Sequence, residues 1–534
     1  MEPNEQSAPA DEGAEAQPTF LLEEEKRLSQ SLIWELQRRY YDRAGIDAWS
    51  TATVPHHVTS NPALAQAYAE IFIGYLRDCR SGNPALDESE PVTIVELGAG
   101  SGRFAYLFLK ALTELLLKSA LRDVRFRYVM TDFTETNVSF WRGHPFLKPF
   151  LERGVLDFAL FDAEVDEELR LIEAGVTIRK GSLKNPLVMI ANYVFDGIRQ
   201  DAFSFRGGEL YECLISLSTA EPVEDPEDPA LLNSVSASYT HRAATAAYYE
   251  EQELNEILQG YAQSLEQVTL LFPYAAIRCI QRLAELSGGK LLLLSADYGE
   301  TQRAEQESQV PPRMATHGSF SMAVNYHAIA EYVLNRNGAV LKTGHRHSYL
   351  AVAAFLLGEP AARPAETRFA YELAVQRAGP DDIFSLWSGL RAGVEQLKLE
   401  STLSLIRLSR WDPRILLGVL PALWSEQEGA SEVMRQEVLR TVMRVWEHYY
   451  PIREKRDLAF EFALLAYAYG GYTEALGLFQ DSLRLYGNDP RTWWNIGLCH
   501  FGLEQLEEAT RCFGEAARLD PEFRPRGALQ TKEE

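Results

Sequence analysis

The sequence predicts an α/β domain built on a mostly parallel sheet, followed by an all-helical region. Short β-branched and aliphatic runs alternate with helical patterns between residues 90 and 360, which is typical of parallel strands joined by crossover helices. After Gly358 the spacing of apolar residues is helical. Near the C-terminus, small and aromatic residues recur at a fixed interval, which indicates repeated helical units.

The N-terminal part is expected to contain a tail and two helices. Residues 1–18 are rich in Glu, Ala and Pro and predict a disordered acidic tail. Residues 19–80 predict a helical segment, with helices over about 20–41 and 62–80. Asn61 or Ser60 is the expected N-cap of the second helix.

The central part predicts the strands of the sheet. The expected strands cover residues 92–97, 125–131, 156–161 and 187–191, with helices over 103–119 and 137–150. A hairpin turning at Gly207-Gly208 then opens an insertion, about 202–286, that we expect to be mainly helical. The sheet resumes near residue 290, and strands over 339–343 and 348–356 close it after a helix over 326–335.

Length and composition limit the classes of protein. A chain of 534 residues is too long for one ordinary domain, and 46% hydrophobic residues suffice for packed cores. The 52 Lys and Arg against 76 Asp and Glu give a formal net charge of −24. Because such a surface repels phosphate groups, we expect neither nucleic acid nor an anionic membrane as a partner.

The five cysteines and the apolar runs indicate in which compartment the protein is expected. The cysteines are scattered and form no CxxC pair, which argues against a disulfide scaffold and a zinc site. No His, Cys or acid cluster has metal-ligand spacing, so no metal is expected. The apolar runs are too short to span a bilayer, and the acidic start does not resemble a signal peptide. These features predict a cytoplasmic protein.

Two pairs of residues near the C-terminus are each 34 residues apart. Ala475 and Ala509 form one pair, and Phe479 and Phe513 form the other. This is the tetratricopeptide period, and residues 451–534 resemble tetratricopeptide repeats, with 359–450 as a helical linker domain. The resemblance implies a protein or peptide partner. The alternative is that these helices only cap the protein or form a homodimer.

A glycine-rich turn follows the first sheet strand. It reads Glu96-Leu97-Gly98-Ala99-Gly100-Ser101-Gly102 and leads into a helix. Open α/β sheets bind ligands at this edge, and glycine lets the backbone approach a ligand closely. A dinucleotide site would read GxGxxG, but Arg103 stands where its third glycine belongs.

The form E-x-G-x-G-x-G resembles motif I of class I S-adenosylmethionine-dependent methyltransferases. The resemblance implies a Rossmann-like seven-stranded methyltransferase sheet and S-adenosyl-L-methionine as cofactor. It assigns cofactor binding to the acid, which would hold the cationic amino-acid end, and to the turn. The residues so assigned are Glu96, Gly98, Ala99, Gly100 and Gly102.

Acidic residues also follow the second and third strands. Asp132 resembles the family's ribose ligand, since a carboxylate can accept two hydrogen bonds from a diol. Asp162 and Ala163 resemble the loop that contacts the adenine amino group. Taken singly, each acid could equally be an ordinary polar cap.

Later segments resemble the MidA-type branch, which includes mitochondrial complex I assembly methyltransferases and bacterial relatives. They are the stretch at 190–197, the Asp-Tyr-Gly at 297–299 and GSFSMAVNYHAIAEYV at 318–333. The resemblance covers about residues 32–357. It implies a methyltransferase domain over 81–358, covered at its cofactor site by residues 19–80. The implied catalytic residues are Asn192, which would also contact the cofactor, Asp196, Asp297 and Tyr298.

One position departs from the branch. Tyr193 stands where the branch has Glu, which removes a charge partner for guanidinium and argues against arginine as the acceptor. Methyl transfer depends mainly on alignment, with a base taking up a proton. Further candidates for bases or pocket residues are His56, His57, His317 and His327.

The sequence therefore predicts an S-adenosylmethionine-dependent methyltransferase that acts on a protein or peptide recruited by the repeats. Two alternatives stay open at this point. One is a methyltransferase for small molecules. The other is an assembly or scaffold protein that binds the cofactor without transferring its methyl group.

Overall fold

The computed structural model describes residues 20–525, except for 52, 82–85, 266, 302–310, 346, 348, 359–361 and 363. The expected acidic tail at residues 1–18 lies outside the described residues.

The chain begins with a strand and three helices: β1 (Phe20–Arg27), α1 (Leu32–Ala44), α2 (Asp47–Ser50) and α3 (Pro62–Ser81). The predicted helix over 20–41 was wrong in its first part, because β1 pairs antiparallel with residues 209–219. Pairing with a distant strand here outweighs the local helical pattern. The start of α3 was predicted correctly, since Asn61 Oδ1 accepts a hydrogen bond from Leu64 N at 2.9 Å.

The next elements build the first half of the central sheet. They are β2 (Val92–Leu97), α4 (Arg103–Leu117), β3 (Phe126–Asp132), α5 (Glu135–Arg142), α6 (Lys148–Glu152), β4 (Leu156–Leu160), β5 (Leu169–Arg170), β6 (Thr177–Ile178) and β7 (Leu187–Asn192).

An insertion follows, and the chain then completes the sheet. The insertion comprises β8 (Asp201–Arg206), β9 (Glu209–Thr219), β10 (Ser236–Ala243), α7 (Gln252–Ser264), β11 (Gln267–Phe272) and α8 (Tyr274–Leu286). The remaining elements are β12 (Leu291–Asp297), β13 (Gly299–Glu300), β14 (Ala315–His317), β15 (Ser319–Ser321), β16 (Val324–Asn325), α9 (Tyr326–Asn335), β17 (Ala339–Leu341) and β18 (Ala351–Leu357).

The central sheet has the strand order β17-β18-β12-β7-β2-β3-β4. Only β18 runs against the others, since it pairs antiparallel with both β12 and β17. This arrangement confirms the predicted Rossmann-like seven-stranded methyltransferase sheet. Residues alternate between the two buried faces: Ile94 packs with α3 and α4, and Val95 packs with α8 and α9. The connections leave β2 and β7 in opposite directions, which is where open α/β sheets bind ligands.

The insertion contains more sheet than predicted. Its hairpin at Gly207-Gly208 is confirmed, with Phe205 opposite Leu210. However, β1, β8, β9, β10 and β11 form a five-stranded sheet where a mainly helical insertion was expected. Along β10 the partly buried Ala237 and Tyr239 alternate with exposed residues, but the second half of the strand is exposed, so the period-2 pattern is short.

The described part of the chain after Gly358 is helical, as predicted. Its α-helices are α10 (Ala365–Tyr371), α11 (Pro380–Leu390), α12 (Leu399–Leu408), α13 (Pro413–Ser425), α14 (Glu432–Trp446), α15 (Leu458–Ala468), α16 (Tyr472–Tyr486), α17 (Pro490–Gly502) and α18 (Leu506–Leu519). Gly497 on α17 faces the ring of Phe513 on α18, where a Cβ would lie 2.4 Å from that ring. Within the described residues, no helix combines the length and the hydropathy needed to cross a membrane.

The first helices of this region pack directly on the sheet domain. The Asp78 carboxylate at the end of α3 accepts hydrogen bonds from the backbone N–H groups of Glu366 and Thr367. Tyr371 Oη donates to the Val352 carbonyl at 2.7 Å. Tyr371 and Tyr450 both lie in the buried cluster that holds α3 and α4. The boundaries at residues 358 and 450 stay predictions.

Candidate functional site

A cavity of about 960 Å³ opens at the edge of the sheet where β2 and β7 end. Its volume is in the range of small-molecule sites. The predicted site residues on its wall are Glu96, Gly98, Ala99, Gly100, Asp132, Asp162, Ala163, Asn192, Asp196 and Tyr298. Gly102 and Asp297 do not line the cavity. The structure therefore brings most of these residues to one cavity, while their roles stay predictions.

The glycine turn is held by its own backbone. Gly98, Gly100 and Gly102 have φ of +54°, +51° and +77°, a region that favours glycine. Ala99 N donates to the Thr131 carbonyl at 2.9 Å, and Gly100 N donates to Asp132 Oδ2 at 3.2 Å. The turn is thereby fixed to the end of β3.

Two buried acids stand side by side next to this turn. Tyr128 Oη donates to Glu96 Oε2 at 3.0 Å, and burial raises the pKa of Glu96 to about 8, with the Asp132 charge adding to the effect. Burial also raises the pKa of Asp132, although Thr134 and Asn137 donate to its carboxylate. Two acids held together in this way favour a ligand that brings positive charge or hydroxyl donors.

We expect Glu96→Gln to flatten the pH dependence of stability. The pKa of Glu96 is about 8 in the folded chain, against 4.5 for the same side chain in the unfolded chain. Between these two pH values the folded state holds a proton that the unfolded state has lost. The stabilisation that this proton gives to the folded state is complete below pH 4.5 and is lost as the pH rises toward 8. The free energy of unfolding should fall there by up to about 1.4 kcal/mol per pH unit in the wild type.

Urea unfolding at pH values between about 5 and 9, the range that brackets this titration, measures the difference. Glu507→Gln, on the exposed surface of α18, is the matched control and should behave as the wild type. Equal slopes for Glu96→Gln and the wild type would contradict the assignment.

Helix α1 closes over the end of β4. Arg38 on this helix donates to Asp162 Oδ2 at 2.6 Å and lies over the ring of Phe133 at 4.5 Å. Glu164 N donates to Asp162 Oδ1 at 2.9 Å. The expectation that the N-terminal segment covers this site is consistent with these contacts. The sequence did not predict five cavity-lining side chains, three of them aromatic and so available as a signal: Trp34, Gln37, Arg38, Tyr41 and Trp49.

The four candidate histidines lie in different surroundings. His56 is buried on the cavity wall, and burial, aided by nearby Arg103, lowers the pKa of His56 to about 3. The neutral ring accepts from Arg103 Nη1 through Nε2 at 3.1 Å, which leaves Nδ1 to donate to the Val54 carbonyl at 3.3 Å. His317 also lines the cavity, whereas His57 does not. His327 bonds to Tyr261 Oη at 2.9 Å.

Residues at and just after the ends of β7 and β12 form the far wall of the cavity and its support. Asn192 Oδ1 accepts from Tyr68 Oη at 2.9 Å, and Asn192 Nδ2 is buried without a partner among the described residues. Asp196 lines the cavity, and its N–H donates to Asp297 Oδ2 at 3.3 Å. Burial raises the pKa of both carboxyls, and the Asp196 charge raises that of Asp297 further. The pair therefore tends to retain a proton.

Two tyrosines complete this wall. Tyr193 has φ of +52°, a strained value for a side chain of this size. Burial raises the pKa of its phenol, so the group stays neutral. Tyr298 is 63% exposed and also lines the cavity. A strained backbone such as that at Tyr193 is often found at functional sites.

Comparisons with known proteins give one family match. Residues 490–523 match the tetratricopeptide repeat family, which confirms a repeat near the C-terminus. No curated protein matches the chain.

Two solved structures from Burkholderia thailandensis are similar to the chain. An uncharacterised ACR, COG1565 superfamily protein is 13% identical with a TM-score of 0.39, over 63% of this chain and 89% of that one. The second structure is a COG1565 superfamily member described as a proposed methyl transferase and bound to S-adenosyl-homocysteine. It is 13% identical with a TM-score of 0.38, and the match covers 64% of this chain and 95% of that chain. At these scores the similarity carries no argument about function.

Proposed function

We propose that the chain is an S-adenosylmethionine-dependent methyltransferase. The observation that carries the proposal is one cavity in which Glu96 and Asp132, at the ends of neighbouring strands, flank the glycine turn. Glu96 would hold the cationic amino-acid end of the cofactor, and Asp132 would accept hydrogen bonds from its ribose hydroxyls. Asp162 and Ala163 would contact the adenine.

The hydrogen bonds of the turn support this cofactor over a dinucleotide. A pyrophosphate needs free backbone N–H groups at the start of the following helix. Here the N–H groups of Ala99 and Gly100 already donate to Thr131 and Asp132, and Gly102 N donates to the Ala99 carbonyl at 2.8 Å. An ammonium or sulfonium group would favour the charged forms of Glu96 and Asp132, whereas a pyrophosphate would be repelled by those charged forms.

The far wall would serve the methyl acceptor. When bound, S-adenosyl-L-methionine supplies an electrophilic methyl group, so the protein's task is mainly alignment. Asn192 Nδ2 is a donor for the cofactor or the acceptor. Asp196, backed by Asp297, would take up the proton that the acceptor loses. Tyr298, at the exposed part of the wall, would contact the acceptor.

We favour a protein or peptide acceptor because the chain contains a tetratricopeptide repeat, a unit that commonly binds peptide segments. Tyr193 offers a neutral phenol on the cavity wall, which would pair poorly with a guanidinium. Two alternatives would replace this proposal. One is a methyltransferase whose acceptor is a small molecule, and the other is a scaffold protein that binds the cofactor without transferring its methyl group.

Labelled methyl transfer into lysate proteins tests the proposal. We expect the full chain to label discrete proteins. A chain ending at Asn488, which lacks α17 and α18, should label them about tenfold less at equal cofactor affinity, because recruitment raises the local acceptor concentration. Label found only in the small-molecule fraction would favour a small-molecule methyltransferase, and cofactor binding with no labelled product would favour a scaffold.

A further inference from the structure

The glycine turn has a second side, which faces the helical region. Gly98 and Gly100 line the cavity, whereas Gly102 does not. A Cβ at Gly102 would lie 3.0 Å from Tyr450 Oη. Tyr450 is fully buried, and its ring stacks on His144 at a centroid distance of 3.9 Å and an angle of 17°. The segment after α14 therefore forms a wall of the turn.

Arg103, the first residue of α4, joins this wall to the turn. Its Nη2 and Nε donate to the Tyr450 carbonyl at 3.0 and 3.3 Å. Its guanidinium also forms an ion pair with Glu454, and the two side chains are only 12% and 23% exposed. Because a largely buried guanidinium is costly to leave without a carboxylate, Glu454 holds Arg103 in place.

The same guanidinium reaches the cover of the cavity. Its Nη1 donates to His56 on the cavity wall. Arg103 therefore joins three parts of the chain: the glycine turn, the segment before α3 and the segment after α14. Displacing this side chain would disturb both sides of the cofactor cavity.

The end of α14 and the segment after it are also held by α16. Trp446 Nε1 donates to Asp481 Oδ2 at 2.7 Å, and the hydroxyls of Tyr449 and Tyr486 are 2.8 Å apart. Asp481 and Tyr486 both belong to α16. The position of Glu454 is therefore set from the helical region.

We propose that Glu454 is a positioning residue for the cofactor cavity, and that it acts through Arg103 on the glycine turn and on His56. The inference rests on the proposed function, because it takes S-adenosyl-homocysteine as a ligand of the cavity. It makes the helical region a part of the cofactor site as well as a recruiter of partners.

Titration calorimetry of the full chain with S-adenosyl-homocysteine tests this role. We expect Glu454→Gln to weaken binding about tenfold, which corresponds to the loss of one buried charged hydrogen bond. Glu447→Gln is the matched control, because Glu447 lies on the same segment but pairs at the surface with Lys110 and Arg444. Its affinity should equal that of the wild type.

A double variant separates positioning from general destabilisation. In the background of Arg103→Gln, adding Glu454→Gln should cause no further loss, because the two residues act as one unit. Additive losses, or wild-type affinity in a folded Glu454→Gln chain, would overturn the inference and leave the proposed function intact. If Glu454→Gln does not fold, Glu454→Asp is measured in the same way. A wild-type chain that does not bind the ligand would overturn both.

Discussion

Replacing Gly100 with valine should weaken the binding of S-adenosyl-homocysteine by at least about a hundredfold. Gly100 has φ of +51°, and a Cβ there would lie 2.8 Å from the ring of Trp49. A β-branched residue is strained at this φ, and the displaced indole belongs to the cavity wall. Both effects act on the ligand site, and calorimetry measures the affinity directly.

Gly154→Val is the matched control for this variant. Gly154 has φ of +69° but nothing within 4 Å of a Cβ placed there. It therefore carries a similar backbone strain, on the order of 1–2 kcal/mol, without the contact to the cavity. We expect a lower melting temperature and unchanged affinity. A Gly100→Val chain that binds as tightly as this control would contradict the site.

A chain ending at Gly358 should fail to reach a stable native state. It would lose Tyr371, Tyr450 and Ile452 from the buried cluster that packs α3 and α4. Removing one large buried side chain costs about 3–5 kcal/mol, and whole domains are stable by only about 5–15 kcal/mol. Soluble yield and thermal unfolding followed by circular dichroism measure the outcome.

The chain ending at Asn488 is the control for this truncation. It keeps α10 through α16 and the segment that contacts the glycine turn, so we expect it to fold and to bind S-adenosyl-homocysteine. If the chain ending at Gly358 melted cooperatively near the wild-type temperature, the helical region would be an independent attachment.

Burial explains which elements could be predicted from the sequence. β2 is buried along its whole length, so its β-branched run between Pro91 and Gly98 predicted its bounds correctly. β1 and β10 are largely exposed and owe their strand state to pairing with β9. The pairing of β1 joins distant parts of the chain, and the alternation in β10 is confined to Ala237 and Tyr239, so neither strand carries a long local strand pattern.

The residues of the candidate site also differ in how far the sequence could predict them. The residues around the glycine turn form a contiguous motif, so its resemblance to motif I could single out Glu96 and Gly100, and both line the cavity. Trp49 and Tyr450 reach the turn from distant parts of the chain, through contacts that no local pattern encodes. Asp297 stands at the end of β12, and its full burial beside Asp196 depends on the packing of the finished sheet.

Calorimetric titration of the full chain with S-adenosyl-homocysteine, beside a parallel titration with NAD⁺, tests the central claim most directly. We predict one binding site per chain for S-adenosyl-homocysteine and no measurable heat with NAD⁺, because the turn has acids beside it and the N–H groups of Ala99, Gly100 and Gly102 are already paired. Binding of NAD⁺, or no binding of S-adenosyl-homocysteine, would contradict the account.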